Sequence, residues 1–444
     1  MGKFFGTDGI RGIANKDLTP EMAFKLGRAV AHVLASDYED PVITIGKDTR
    51  ISGDMLESAL AAGICSRGVS VYHLGVLPTP GIAYLTRHLK AQAGAVISAS
   101  HNPMQDNGIK FFNQYGFKLS DEIEAEIESY LLNDEEDIMP RPTGKDVGHL
   151  IYLHKGKGIY EAYLKKIFND TLEGLNIVVD NANGAASNVM PNILRSLEPA
   201  SLISISDEPN GININEDCGS THMENLRDRV IQCKADIGIA HDGDADRMLA
   251  VDELGRVVDG DQIMAICAGY LKEKGELKNN LLVGTVMSNL GLRKFCEERD
   301  IDYSATGVGD RYVLEEMVKR DAILGGEQSG HIIFKEYNTT GDGLLTALML
   351  MKVMKEKKQK LSTLADQMKI YPQTLRNVKV ANKEEALNNV AFKKAIEEAG
   401  KTLENRSRIL VRPSGTESLI RIMAEGENLE EIESIVKDLA KIIQ

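Results

Sequence analysis

The chain alternates short apolar runs with amphipathic stretches. Val42-Ile-Thr-Ile45 is apolar and β-branched and reads as a buried strand. A helical pattern through Ala59-Leu-Ala-Ala62 follows, then strands at Val69-Ser-Val-Tyr72 and Ala95-Val-Ile97. Ahead of them, Thr19-Pro20 and apolar residues at helical spacing predict a helix to about Ser36. The arrangement then repeats. A second copy has strand Asn176-Ile-Val-Val-Asp180, a helix from Val189 to Leu197, and strands at Leu202-Ile-Ser-Ile205 and Ala235-Asp-Ile-Gly-Ile-Ala240. A third has strand Leu281-Leu-Val-Gly284, helix Leu290 to Glu298, a short strand near Ile301-Asp-Tyr303, and Asp321-Ala-Ile-Leu324. Strands alternating with helices predict mainly parallel sheets. The fold expected is therefore α/β: three related mixed-sheet domains at residues 1–153, 154–253 and 254–369, meeting around a central cleft. Beyond Pro372 the pattern changes. Strands at Val378-Lys-Val380, Arg408-Ile-Leu-Val-Arg412 and Leu419-Ile-Arg-Ile-Met-Ala424 alternate with a helix from Lys383 to Ala399 and a last one from Leu429. These predict a C-terminal α+β domain at 370–444.

Each copy delivers a polar loop from the end of an apolar strand, where open α/β sheets bind ligands. In the first, Ser98-Ala-Ser100-His-Asn-Pro103 leaves the sheet at a proline. A hydroxyl there, beside an imidazole and an amide, can carry a covalent phosphoryl group. In the second, Asp242, Asp244 and Asp246 alternate. Two unit charges about 4 Å apart repel by about 4 kcal/mol at an effective dielectric of about 20, a cost that a divalent cation removes. All-oxygen ligands favour magnesium, calcium or manganese. An EF-hand is the rival reading, but Arg247 stands where the hand needs glycine, and Met248-Leu-Ala-Val251 reads as a strand. The third loop, Gly325-Gly-Glu-Gln-Ser-Gly-His331, offers Glu327, Gln328, Ser329 and His331, suited to sugar hydroxyls. In the last domain Arg412-Pro-Ser-Gly-Thr-Glu417, with Arg421 four residues on, reads as a phosphate nest. The N-terminal Gly6-Thr-Asp-Gly-Ile-Arg-Gly12 holds Asp8 and Arg11 on a tight backbone. The bland alternatives are a polar turn for each loop and an acidic surface turn for the aspartates.

Composition narrows the partners. The formal net charge is −14 over 444 residues, which argues against nucleic acid as a partner and requires local basic residues to hold an anionic substrate. The five cysteines are scattered with no Cys-x-x-Cys pair, as in a reduced cytosolic protein. The start has no signal-peptide core, and no apolar run approaches a membrane span. The expectations are a cytoplasmic protein with no membrane partner, small-molecule substrates and room for a homodimer. No Walker A pattern occurs, so a nucleoside triphosphatase is unsupported.

Five segments in this order resemble the α-D-phosphohexomutase superfamily over essentially the whole chain. They are Thr7-Asp-Gly-Ile-Arg-Gly12, Ser98-Ala-Ser-His-Asn-Pro103, Asp242-Gly-Asp-Ala-Asp-Arg247, Gly326-Glu-Gln-Ser-Gly-His331 and Arg412-Pro-Ser-Gly-Thr-Glu417. Ser-Ala-Ser-His-Asn-Pro and Gln328 bring the resemblance nearest the branch acting on glucosamine phosphates. The glucose and mannose branches, the alternative, usually carry Thr-x-Ser-His-Asn-Pro, and Met or Glu in place of Gln328.

The resemblance implies interconversion of glucosamine 6-phosphate and glucosamine 1-phosphate through a phosphorylated Ser100 and a 1,6-bisphosphate, upstream of UDP-N-acetylglucosamine and the cell wall. It implies magnesium held by Asp242, Asp244, Asp246 and the Ser100 phosphate. Glu327 and Ser329 would bind sugar hydroxyls. Arg412, Ser414, Gly415, Thr416 and Arg421 would hold the non-reacting phosphate. Lys110 and His331 are candidates for proton transfer, and Arg11 and Arg247 for charge support. Two further rivals are a non-catalytic sugar-phosphate binder, which needs neither Ser100 nor three aspartates, and a magnesium-dependent phosphatase, which needs water at phosphorylated Ser100.

Overall fold

In the computed structural model, which describes residues 4–6, 8–132, 139–403, 407–413 and 418–443, the strands form four sheets. The first has six strands in the order Ile10–Ile13, Asp106–Asn113, Ala93–Ile97, Val42–Lys47, Ser70–Val76 and Leu150–Tyr152. Its last four strands pair in parallel, and Asp106–Asn113 pairs antiparallel with both of its neighbours. The second sheet has five strands, with Asn176–Asp180 parallel to both Ser201–Ile205 and Ile237–His241. The third has four, with Leu281–Thr285 parallel to Asp302–Thr306 and Leu324–Gly326. The fourth is a three-stranded antiparallel sheet with Leu419–Gly426 between Gln373–Lys379 and Ser407–Pro413. Three mixed α/β sheets and a last α+β one are thus the architecture the alternating pattern predicts.

One topological element differs from the sequence reading. The serine loop does not leave the sheet at Pro103. It turns back into Asp106–Asn113, which pairs antiparallel with Ala93–Ile97. The same device recurs in the second sheet, where Met248–Asp252 returns along Ile237–His241. It recurs again in the third, where Ile332–Phe334 returns along Leu324–Gly326. Each chemistry-bearing loop is therefore a hairpin between a parallel strand and an antiparallel neighbour. Each hairpin contains one residue in the left-handed region: Ser100 (φ 52°), Ala245 (φ 56°) and Gly330 (φ 92°). Such turns need positive φ, and a side chain makes it costly at the first two. The helix expected from Lys383 to Ala399 is also two helices, Lys383–Asn388 and Val390–Leu403, parted at Asn389.

The first sheet is backed by helices Pro20–Ala35 and Ser52–Cys65. Thr19 caps the former by accepting from the Met22 amide (3.3 Å), and Pro20 sits in its first turn. The two helices cross at glycine. A Cβ on Gly63 would come 2.1 Å from the Phe24 carbonyl oxygen, and one on Gly27 would come 2.3 Å from that of Leu60. Both neighbours are backbone, so neither can rotate away. Gly63→Ala is expected to destabilise the protein by about 1–3 kcal/mol, read as a lower urea midpoint. An unchanged midpoint would mean that the helices separate without cost.

The chain divides into two compact units, residues 1–287 with 301–366, and residues 288–300 with 367–444. The first contains three of the sheets, and one carboxylate, Asp342, bonds directly or through Asn338 to groups from all three copies. Asp342 caps helix Gly343–Lys357 by accepting from the Leu345 amide (2.9 Å). It also accepts from the Tyr160 hydroxyl (2.8 Å), and from Asn338 (2.9 Å), which donates as well to the Pro80 carbonyl (3.1 Å). All five cysteines are free thiols. Among the described residues, no helix is long and apolar enough to cross a membrane.

Candidate active site

Three hairpins of the first unit converge. Ser100 is 2% exposed, and its Oγ donates to Asp242 Oδ2 at 2.5 Å. The left-handed backbone at Ser100 is held from several sides. Its amide donates to Ser98 Oγ (2.9 Å), and Ser98 Oγ donates to Asp48 Oδ2 (2.5 Å). Asn215 Nδ2 donates to the Ser100 carbonyl (2.9 Å), and so does the Arg50 guanidinium (3.2 Å). Arg50 is itself fully buried on Asp48. A strained residue over-determined by its surroundings is a mark of functional sites. The Asp242–Asp246 hairpin packs directly on this one. A Cβ at Gly243 would lie 2.6 Å from the Ser100 carbonyl oxygen, which explains the glycine between Asp242 and Asp244.

Asp242, Asp244 and Asp246 are all buried, and one carboxylate oxygen from each lies within 4.8 Å of the others. Lys110, on the strand returning from the serine loop opposite Val96, reaches Asp244 at 2.8 Å and Asp246 at 3.5 Å. Thr79 Oγ1 also donates to Asp244 (2.7 Å). Burial pushes the Asp242 and Asp246 carboxyls up, and their acidic neighbours add to it. At Asp244 burial acts the same way but Lys110 overcomes it, holding that carboxyl well below the usual range. Burial alone would lower the Lys110 ammonium, and Asp244, Asp8 and Asp246 raise it instead. Asp244 Oδ1 and Asp246 Oδ1 are buried with no hydrogen-bond partner among the described residues. Orphaned anionic oxygens around a common point suit a hard divalent cation with oxygen ligands.

Next to the triad opens a cavity of about 620 Å³. Asp246, Arg247, Glu327 and His331 line it together with Asp8 and Asp310. Glu327 Oε1 accepts from the Gly309 amide (3.0 Å), and Ser329 Oγ lies 3.5 Å from Glu327 Oε2. His331 Nε2 is 3.4 Å from Asp310 and 4.0 Å from Asp246. The Gln328 amide points elsewhere, donating to Asp259 (3.0 Å), which caps helix Gly260–Glu273. Arg247 lies 4.0 Å from Asp246, and Arg11 pairs with Asp8.

In the second unit, Arg412 and Arg421 stand directly opposite each other in the antiparallel ladder. Burial, then Arg421, lowers the Arg412 guanidinium pKa. Like charges opposed across strands are unfavourable without an anion. Ser414, Gly415 and Thr416 lie outside the described residues.

Several neighbours of the site were not singled out from the sequence. Lys118 bridges Asp8 (2.6 Å), the partner of Arg11, and Asp310 (2.7 Å), which lies 3.4 Å from His331 Nε2. Asp48, Arg50 and Asn215 support Ser100. Gly46-Lys-Asp-Thr-Arg50 at the end of a strand was a visible signal for the first two; nothing in the spacing marked Lys118, Asp310 or Asn215. His101 lies 3.3 Å from Ser100 Oγ. Burial, then Arg247 and Arg11, pushes its imidazole down to about 4, so it is neutral near pH 7.

A buried serine hydroxyl on a buried triaspartate cluster beside a polar cavity suits phosphoryl transfer, and comparison with known proteins agrees. The chain belongs to the phosphoglucomutase/phosphomannomutase family, matching its alpha/beta/alpha domains I (residues 2–137), II (159–255) and III (259–371) and its C-terminal domain (375–442). Among its relatives are the phosphoglucosamine mutases of Desulforamulus reducens and Carboxydothermus hydrogenoformans, each 56% identical. The first alignment covers 100% of this chain and 99% of the relative, and the second 100% of both. A phosphoglucomutase/phosphomannomutase family protein from Burkholderia thailandensis shares the fold, with a TM-score of 0.81 at 23% identity over 100% of this chain and 98% of that one.

Proposed function

We propose that this chain is a phosphoglucosamine mutase, interconverting glucosamine 6-phosphate and glucosamine 1-phosphate through phosphorylated Ser100 and a 1,6-bisphosphate. The observation that carries the chemistry is Ser100 Oγ bound to Asp242 inside the buried triad, at the edge of the cavity that holds Glu327 and His331. Full-length relatives of that name carry the choice of sugar. In the forward reaction the bond between phosphorus and Ser100 Oγ breaks as one to the sugar O1 forms. The O1 proton passes to a base, and Ser100 leaves as a hydroxyl or alkoxide. After the bisphosphate turns over, the 6-phosphoryl returns to Ser100.

Asp242, Asp244, Asp246 and the Ser100 phosphate would hold magnesium, which when bound supplies positive charge to the phosphoryl oxygens. Lys110 suits charge support better than proton abstraction, because Asp244 and Asp246 keep it an ammonium. That leaves His331 as the proton carrier of the two candidates, with Arg11 and Arg247 aiding the charge. Glu327 and Ser329 take the sugar hydroxyls. Arg412 and Arg421, an opposed cationic pair, hold the non-reacting phosphate together with the Ser414-Gly-Thr416 loop. The division into domains at 1–153, 154–253, 254–369 and 370–444 and a cytoplasmic location, which free thiols suit, complete the proposal.

Phosphorus NMR tests it directly. With magnesium and a trace of hexose 1,6-bisphosphate, glucosamine 6-phosphate is expected to give the 1-phosphate fast, and glucose and mannose 6-phosphates slowly. Equal or faster turnover of glucose or mannose phosphate would move the chain to the alternative branch, a phosphoglucomutase or phosphomannomutase. Released inorganic phosphate would make it a phosphatase.

A further inference from the structure

The cavity beside the triaspartate site is more acidic than a site for a phosphorylated neutral sugar requires. Nearly all of its carboxylates already have a donor. Asp8 and Asp310 share Lys118, and Asp246 has Lys110. Glu327 accepts from the Gly309 amide. On helix Asp121–Leu132, Asp121 pairs with Arg311 and Glu128 accepts from the Phe4 amide. One is different. Glu124, on that helix and also lining the cavity, makes no side-chain hydrogen bond or ion pair with any described residue. It is half-buried, so water does not fully compensate it. Burial pushes its carboxyl up to about 7, against the pull of Arg311. A cation arriving beside it would restore its charge.

A second side chain of the same lining also carries a polar atom without a partner. His331 lines the same space and is only 3% exposed, and its Nδ1 has no hydrogen-bond partner among the described residues. The opposite edge of the ring lies against Gly341, whose amide donates to Nε2 (3.2 Å).

We infer that Glu124 is a specificity-determining residue, accepting the protonated 2-amino group of the sugar phosphate. The inference rests on the proposed activity, because glucosamine 6-phosphate differs from glucose 6-phosphate only at C2. An amine flanked by carbon–oxygen bonds is largely protonated near neutral pH, with a pKa of about 8 like that of an α-amino group. A carboxylate paired with that ammonium gains a charge-assisted hydrogen bond that a C2 hydroxyl gives only weakly.

The test is calorimetric titration of the full-length, unphosphorylated protein, which binds but does not turn over. Glucosamine 6-phosphate and glucose 6-phosphate are the two probes. The native protein is expected to prefer the amino sugar about tenfold, the size of one such bond. Glu124→Gln should remove most of that preference, and Glu124→Asp should keep part of it. Absence of a preference in the native protein, or an equal preference in Glu124→Gln, overturns the inference. Equal weakening of both sugars with the ratio preserved also overturns it, because Glu124 would then only shape the cavity. The activity is judged separately by phosphorus NMR of the phosphorylated native protein. Failure there with the binding contrast intact would remove the mutase reading and leave Glu124 as an ammonium acceptor.

Discussion

Ser100→Ala is expected to lower mutase turnover by roughly four orders of magnitude or more, and to abolish the phosphoprotein form seen by intact-protein mass spectrometry. The loss is large because in the proposed reaction the hydroxyl is the covalent carrier, so its removal closes the two-step route and not merely one contact. The fold should survive. Alanine leaves Asp242 without one donor, while the loop keeps the Asn215 and Arg50 contacts to the Ser100 carbonyl. Ser98→Ala is the control. Ser98 accepts from the Ser100 amide and donates to Asp48, which makes it a positioning residue. It should cost about tenfold to a hundredfold in turnover while phosphorylation of Ser100 persists. If Ser98→Ala lost the phosphoryl group and Ser100→Ala kept it, the two serines would exchange roles.

The second large effect is on stability. Lys110→Met should destabilise metal-free protein by about 3–5 kcal/mol, because it leaves Asp244 and Asp246 buried without their ammonium. The buried carboxylates would then either repel one another or bind protons, and both oppose folding at neutral pH. Magnesium should recover more stability in this variant than in the native protein, because ligand binding to the folded state stabilises by mass action and the variant has more uncompensated charge to neutralise. Thermal melts in chelator and in magnesium measure both. A variant melting with the native protein in chelator would show that Lys110 contributes nothing to holding the triad.

Much of this site was legible because its chemistry sits in short contiguous strings. Asp242-Gly-Asp-Ala-Asp marks a candidate cation site by its charge, and Ser100 follows an unmistakable apolar strand. The returning strand Asp106–Asn113 was harder to see, because it opens on Asp-Asn-Gly, residues that ordinarily mark a turn. Here that turn-like start pairs with Arg11-Gly-Ile13, while Ile109–Asn113 pairs with Ala93–Ile97, and tertiary pairing outweighs propensity. Lys110 came with the family resemblance, yet its reach to Asp244 depends on a register that no local pattern specifies. Lys118, Asp310 and Asn215 were missed for the same reason. Each is an ordinary polar residue until three separate segments are brought together. Gln328, taken as a pointer to the sugar, proves to be engaged with the cap of a neighbouring helix.

The three α/β copies repeat one arrangement of strands and hairpin, and repeated modules invite exchange between relatives. Asp342 argues that they have lost that freedom. Its carboxylate answers to Tyr160, to the cap of its own helix and, through Asn338, to Pro80, so each copy supplies part of one joint. A transplanted copy would carry its strands and its hairpin intact and still arrive with the wrong half of that joint. Together with the Thr79 and Lys110 contacts to Asp244, that joint makes the three copies parts fitted to one another rather than interchangeable units.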